Sequence, residues 1–247
     1  MKFKDHFSKQ SQGYTRYRPV YPSTLYSWLA SLVPSRKRVW DCATGNGQAA
    51  VALADHFLEV VATDASENQI THCKVNPRVC YYAAPAEASG LESASMDMIT
   101  VAQAIHWFNF HDFFTESRRV LKPEGVLAIW GYGILKISPE IDAVINQLYG
   151  PMLEPFWPPE RKYIEDGYAT IPFPFHQIES PQFSMETQWS LSDLTGYLRT
   201  WSAVIRYAEH HGTDPVGSID EPLKEAWGKH LERRVDWPIY LKVGRNI

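Results

Sequence analysis

Residues 38–47, Arg-Val-Trp-Asp-Cys-Ala-Thr-Gly-Asn-Gly, constrain this chain more than any other stretch. The apolar pair Val39-Trp40 runs into Asp41. A loop of small residues follows, Ala43-Thr44-Gly45-Asn46-Gly47, and then residues 48–54, rich in helix formers. That order reads strand, tight turn, helix. Glycines permit positive φ and leave bare backbone for a ligand to approach. The helix start aims unpaired N–H groups into the same space. The stretch is therefore a ligand-binding turn in an α/β fold.

Gly45, Gly47 and Ala50 also fit the dinucleotide spacing G-x-G-x-x-A, which makes a nicotinamide-dependent oxidoreductase one reading. Asp41 speaks against it. A carboxylate at the strand end beside the turn repels a pyrophosphate and attracts a cation. The run Asp41 to Gly47 resembles motif I of the class I S-adenosylmethionine-dependent methyltransferases, written D/E-x-G-x-G-x-G. Ala43 stands at the first glycine position. S-adenosylmethionine carries a sulfonium and an α-ammonium, which suit Asp41 on charge. The resemblance implies S-adenosyl-L-methionine as cofactor, with Asp41, Ala43, Thr44, Gly45 and Gly47 around it. Without the resemblance, the stretch also reads as a plain tight turn before a helix.

Composition narrows the setting. A chain of 247 residues with 45% hydrophobic content supports one large α/β domain with room for a cap. A net charge of −4 argues against a general binder of nucleic-acid backbones. No Asn/Asp-Pro-Pro-Tyr/Phe motif of the kind used on flipped bases is present. The three cysteines, Cys42, Cys73 and Cys80, have no C-x-x-C spacing, so neither a structural zinc nor another metal is expected. They suit a reducing compartment. The first residues lack the apolar run of a signal peptide, and no stretch approaches a membrane span. A cytoplasmic protein with neither a nucleic-acid nor a membrane partner is the expectation. The oligomeric state stays open, a monomer being compatible.

In chain order, residues 14–22 contain two prolines three apart, Pro19 and Pro22, which exclude a regular helix there. Ser23 or Thr24 is expected to cap a helix through about Leu32. The wording Tyr17-Arg18-Pro19-Val20-Tyr21-Pro22 is similar to the entry segment of small-molecule methyltransferases of the trans-aconitate methyltransferase group. That resemblance implies an arm, Tyr14 included, closing over the cofactor, with Arg18 meeting the methionine carboxylate. An arm simply packed on the domain is the other reading.

Residues 58–64 read as a second strand ending in Asp64, where doubly wound folds place a ribose-binding carboxylate. Asp64-Ala65-Ser66-Glu67 also fits a helix start, so Asp64 as ligand and Ser66 as cap are both open. Residues 79–83 form a third strand leading to Ala86 and Glu87. The resemblance sets these two against adenine, and a solvent-facing Glu87 is the alternative.

Met96 to Gln103 is a strand apolar enough to be buried on both faces. Its continuation, Ala102-Gln103-Ala104-Ile105-His106-Trp107-Phe108, again resembles the trans-aconitate methyltransferase group. Gln103 and Ala104 are expected near the methionine part of the cofactor, and His106 and Trp107 beside the transferred methyl. His106 is the candidate catalytic residue, as general base for a hydroxyl acceptor. A packed histidine is the plain alternative. A helix over 112–121, a turn at 122–125 and a fifth strand over 126–130 complete the repeating units.

From Gly131 to about Thr170 the alternation is lost, and prolines interrupt a run rich in aromatics. Long connections without structure are uncommon unless functional, and aromatics need burial or a ligand. This segment is expected to be a lid, with Tyr132, Trp157 and, from a later helix over 191–207, Trp201 lining the acceptor site. A sixth strand over 175–189, a helix over 222–231 and a strand over 237–243 follow. The expected fold is a Rossmann-like, doubly wound, mostly parallel seven-stranded sheet with an antiparallel terminal strand and a helical or irregular lid. The expected layout is a single domain: residues 1–35 as arm and helix, 36–131 as cofactor core, 132–172 as lid insertion and 173–247 as C-terminal strands and helices. The implied activity is S-adenosylmethionine-dependent methylation of a small-molecule acceptor, at a carboxylate or hydroxyl oxygen. Arg161, Lys162, Arg199 and Arg206 are candidate cations for that acceptor. A nicotinamide-dependent oxidoreductase and a non-catalytic S-adenosylmethionine-binding protein are the competing readings.

Overall fold

A computed structural model of the chain describes Tyr17 and residues 19–247. Helix α1 (Ser23–Ser31) leads into β1 (Arg38–Cys42), α2 (Gln48–Leu53), β2 (Glu59–Asp64), α3 (Glu67–Thr71), β3 (Val79–Ala83) and β4 (Met96–Ala102). A short 3₁₀ turn, Ile105–Trp107, precedes α4 (Phe110–Val120) and β5 (Leu121–Tyr132). The segment beyond holds α5 (Pro139–Gln147), a π turn at Leu148–Met152, a 3₁₀ turn at Glu154–Phe156 and α6 (Arg161–Glu165). Strands β6 (His176–Gln177) and β7 (Phe183–Trp189), helices α7 (Leu191–Arg199), α8 (Ser202–His211) and α9 (Asp220–Trp227), and β8 (Arg233–Arg245) complete the order.

The sheet runs β3-β2-β1-β4-β5-β8-β6, with β7 also paired to β8. Strands β1 to β5 are parallel, and β8 pairs antiparallel with β5, β6 and β7. Side chains alternate across it, as a strand repeat of about two requires. Val126, Ala128 and Trp130 enter the core on one face, Leu127 and Ile129 the core on the other. Burial on both faces explains the near-continuous apolar runs of β4 and β5. Trp40, Trp130 and Trp237 are fully buried, each contributing about 2–3 kcal/mol by removal from water.

The expected doubly wound fold is present, with local differences. The expected sixth strand splits into β6 and β7 because Pro181 lies between them. That split gives an eight-stranded sheet where seven strands are expected. The turn at 122–125 is absorbed into β5 as an irregularity against β4, with Glu124 at φ 64°. The expected helix over 191–207 breaks at Trp201 into α7 and α8. Helix α1 has Pro22 at its N-cap, and no side chain caps it. Pro238 lies opposite Ser184, and its carbonyl accepts from the Gly133 N–H just past β5. Its missing N–H therefore faces the side where the β5 ladder has ended.

Candidate active site

Parallel pairing of β1 to β5 sets their C-terminal ends along one edge. Cys42 lies opposite Thr63, Asp64 opposite Ala83, and Ala102 opposite Trp130. The expected residues 43–47, 64–65, 86–87, 103–107 and 132 all lie at or just beyond these strand ends. The chain winds outward from β1 through β2 and β3, then restarts at β4 on the other side of β1. A ligand crevice opens at such a reversal.

Three residues of the turn hold positive φ: Ala43 at 55°, Gly45 at 57° and Gly47 at 80°. Ala43 occupies left-handed backbone where motif I usually has glycine, which costs about 1–2 kcal/mol. A Cβ added at Gly47 would meet the Tyr81 hydroxyl at 2.7 Å, so a side chain there must displace that ring as well as adopt the positive φ. A Cβ at Gly45 would meet nothing within 4 Å. Gly45 therefore borders open space. The Asn46 Oδ1 and Gln48 Oε1 acceptors beside it are buried without a partner among the described residues.

Asp64 braces this turn from the neighbouring strand. It is 9% exposed, and its carboxylate accepts from the backbone N–H groups of Gly45 and Ser66, each at 2.9 Å. The Ser66 hydroxyl in turn accepts from the Gln69 N–H and caps α3. Of the two roles the sequence left open there, the helix cap falls to Ser66.

Asp41 departs from expectation. It is fully buried, and one carboxylate oxygen accepts from the Thr44 hydroxyl at 2.5 Å, the other from the Thr100 hydroxyl at 2.8 Å. Its side chain has no surface facing the crevice, so the expected direct contact with a cationic ligand is corrected to an indirect one. Asp41 ties β1, the turn and β4 together. Burial pushes its pKa up to about 6, against the pull of the Thr44 and Thr100 hydroxyls. Sequence spacing does not reveal Thr100, which supplies one of those hydroxyls from 59 residues away.

At the end of β4, Gln103 holds φ 56°. Its N–H donates to the Trp130 carbonyl at 2.7 Å, and its Oε1 accepts from the Tyr132 N–H at 2.7 Å. Strained backbone of this kind persists where surrounding contacts over-determine it. Tyr168, also at positive φ (62°) and fully buried, packs its hydroxyl over Gly131, where an added Cβ would lie 2.5 Å from it. The same hydroxyl lies 3.3 Å from His106 Nδ1, and the rings stack at 6.2 Å. His106 is buried. Desolvation, with the nearby Arg161 charge, lowers its pKa to about 3. Tyr168 escapes sequence reasoning, its one local signal being the preceding Gly167.

The remaining candidates divide. Ala86 and Ala104 are buried, and Ala65 is exposed. Glu87 accepts from the Asn109 N–H at 3.0 Å, which ties it to the start of α4. Trp107 packs on His106 at 4.9 Å. Tyr132 lies in the core near Tyr21 at 6.3 Å. Trp157 and Trp201 come together at 5.7 Å, joined by Tyr149. Tyr14 and Arg18 lie outside the described residues. Pro19 and Tyr21 are packed on the domain, the Pro19 carbonyl accepting from Gln48 Nε2. No group of metal-ligating side chains occurs among the described residues. No described helix is long and apolar enough to cross a membrane.

Residues 40–129 match the family model described as a methyltransferase domain. A Dictyostelium discoideum protein assigned as a methyltransferase is 35% identical over 253 residues, covering 99% of this chain and 96% of that one. This chain belongs to the methyltransferase family. A solved structure assigned as a type II methyltransferase from Anaeromyxobacter dehalogenans shares 44% identity and a TM-score of 0.88, covering 93% of this chain and 98% of that one. A Saccharomyces cerevisiae protein assigned as an S-adenosylmethionine-dependent methyltransferase is 29% identical over 140 residues, 53% of this chain and 47% of that one. The methyltransferase is therefore S-adenosylmethionine-dependent, and the nicotinamide reading is set aside. The turn fits that cofactor: open space at Gly45, orphaned acceptors at Asn46 and Gln48, and a carboxylate at the end of β2.

Proposed function

We propose that this methyltransferase acts on a small organic acid and places the methyl on a carboxylate oxygen. One observation carries the reading: His106, beside the end of β4, is buried against Tyr168 and Trp107, and that desolvation disfavours its charged form. A general base works best with a pKa near the operating pH. A hydroxyl acceptor needs such a base, and a group with pKa about 3 is a poor one. A carboxylate arrives already ionised and needs no proton removed. S-adenosylmethionine supplies an electrophilic methyl on a sulfonium, and the chain's task is to orient the acceptor and exclude water. Asp64 and the 43–47 turn, with Gln103 and Ala104, hold the ribose and methionine side, and Ala65, Ala86 and Glu87 lie around the remainder. His106 and Trp107 wall the acceptor, with Tyr132, Trp157 and Trp201 contributed by the lid side. The arm, with Tyr14 and Arg18, closes over the cofactor. The likeness to the trans-aconitate methyltransferase group supports a small acidic acceptor, and the chain's net charge of −4 supports a non-nucleic-acid one. A single domain with residues 132–172 as lid is part of this reading.

The test starts with calorimetric titration of S-adenosylhomocysteine, followed by a turnover screen of paired carboxylic acids and alcohols. Acids should be methylated and alcohols not. In the active pair, His106→Ala should slow turnover while leaving S-adenosylhomocysteine affinity unchanged. A rate limb with a pKa near that of ordinary histidine, about 6.5, present in wild type and lost in His106→Ala, would restore the general base and overturn the carboxylate assignment.

A further inference from the structure

The two edges of the sheet are finished differently. At one edge β6 is two residues long, Pro181 separates it from β7, and β7 carries Glu186 in an ion pair with Arg234. Short strands, prolines and charges keep an edge from pairing with another chain. At the other edge, β3 pairs with β2 alone among the described strands. Its sequence, Val-Cys-Tyr-Tyr-Ala over Val79–Ala83, contains neither charge nor proline. No residue from 67 to 84 is buried, although the stretch includes helix α3 and all of β3. Strands β1, β2 and β4 are buried almost throughout. Val75, in the loop that enters β3, is 98% exposed.

Hydrogen bonds fix which groups of β3 face outward. The Arg78 carbonyl accepts from the Val60 N–H at 2.8 Å, and the Ala84 N–H donates to the Asp64 carbonyl at 3.0 Å. Bonding alternates along a strand, so residues 78, 80, 82 and 84 turn to β2, while Val79, Tyr81 and Ala83 turn away. The Val79 N–H donates to the Asn76 carbonyl at 3.0 Å. The groups facing outward are then the carbonyls of Val79, Tyr81 and Ala83 and the N–H groups of Tyr81 and Ala83. An antiparallel copy of the same strand, centred on its middle residue, complements them. Tyr81 exchanges two bonds with its counterpart, and each Ala83 N–H meets a Val79 carbonyl. Like charges opposite one another destabilise such a pair, and β3 has no charge to place there. The entry to β3 is basic, with Lys74 and Arg78, and its exit acidic, with Glu87, so antiparallel pairing brings unlike charges together. We propose that this edge is the interface of a homodimer, formed by antiparallel pairing of β3 with β3 of a second copy about Tyr81. Cys80 of one copy then lies opposite Tyr82 of the other in a non-hydrogen-bonded pair, whose Cα spacing of about 4.5 Å suits a disulfide.

Sedimentation equilibrium of the full chain should show a dimer. Ala83→Pro removes a donor that faces away from β2, so it leaves the β2–β3 ladder whole. It should raise the dimer dissociation constant about 10- to 100-fold, the size of two hydrogen bonds. Ala83→Lys puts a charge on the exposed edge and should weaken the dimer in the same direction, which keeps the test open if Ala83→Pro fails to fold. Circular dichroism of each variant reports whether the fold is kept. Tyr82→Cys should give a covalent dimer under mild oxidation, through Cys80 of the other copy. Tyr82→Cys combined with Cys80→Ser should give none. A monomeric wild type overturns the interface. A dimer that both folded Ala83 variants leave intact overturns it as well, since the copies then meet elsewhere. Cross-linking that persists without Cys80 overturns the register about Tyr81.

Discussion

The two halves of the crevice are built by different means. Around Asp41 and Asp64, carboxylates hold the turn and its neighbouring strands in place. Gly45 and Ser66 donate N–H groups to Asp64, while Thr44 and Thr100 donate hydroxyls to Asp41. Across the crevice, at residues 149–168, side chains hold one another. Arg161 lies on Trp157 and Tyr149, Trp157 on Trp201, and Tyr168 on His106. A backbone site suits a ligand that never changes, and a side-chain site can be re-cut for new acceptors by substitution. The comparison predicts where mutations will act.

The largest effect is expected at Asp64. Asp64→Ala removes two charge-assisted hydrogen bonds to the turn, and S-adenosylhomocysteine affinity should fall about 100-fold or more, at about 1.5–3 kcal/mol per bond. Calorimetry reads this directly. Unchanged affinity would break the claim that this half works through the backbone.

Asp41 gives a pH signature. Its folded pKa is raised from 3.8 to about 6, so the folded state favours the protonated form. That contribution is present below pH 3.8 and is lost as pH rises through about 6. Relative to wild type, Asp41→Asn should therefore gain stability across that window, on the order of 3 kcal/mol in all. His106 has the opposite sign. Its pKa is lowered from 6.5 to about 3, so its contribution is present above pH 6.5 and is lost as pH falls toward 3. His106→Gln should flatten the acid limb. Urea unfolding at a series of pH values separates the two, and a pH-independent difference between Asp41→Asn and wild type would sink the first.

Gly131→Ala sharpens the comparison on the side-chain half. The new Cβ would lie 2.5 Å from the Tyr168 hydroxyl, and overpacking of this kind costs about 1–3 kcal/mol. The melting temperature should drop and turnover should fall, with Tyr168 and the Gln103 side chain displaced. The smallest effect is expected at Ala43, where glycine relieves left-handed strain but gains unfolded-state entropy, a net stabilisation of about 1 kcal/mol or less. A clear loss of stability in Ala43→Gly would mean that the alanine methyl packs against something the turn needs.

The same division explains what the sequence reveals. The run from Val39 to Gly47 is legible because strand period, small residues and helix start are all local signals. Asp64 and Gln103 are legible because strand ends predict crevice position. The internal role of Asp41 is not, since its partner Thr100 sits on a strand that only the sheet order brings alongside. Trp157 and Trp201 are recognisable as aromatics that need a neighbour, but Tyr149 between them is not. Tyr168 depends on a positive φ and on the absence of a side chain at Gly131, neither of which leaves a periodic trace. Pro181 is visible in the sequence, yet its division of one strand into β6 and β7 follows only once β8 is seen long enough to pair with both.

Strand β8 follows β7 in the chain yet lies in the sheet between β5 and the β6 and β7 segments. As the chain leaves the ribosome, β1 to β5 can assemble from local units, but β5 keeps an open edge until more than a hundred further residues have been made. That edge includes Val126, Ala128 and Trp130, a stretch well suited to pairing with the wrong strand. The interval between making β5 and making β8 is thus the time of greatest exposure to aggregation. Chaperone dependence or slow translation between residues 133 and 232 would be the cellular trace of that topology.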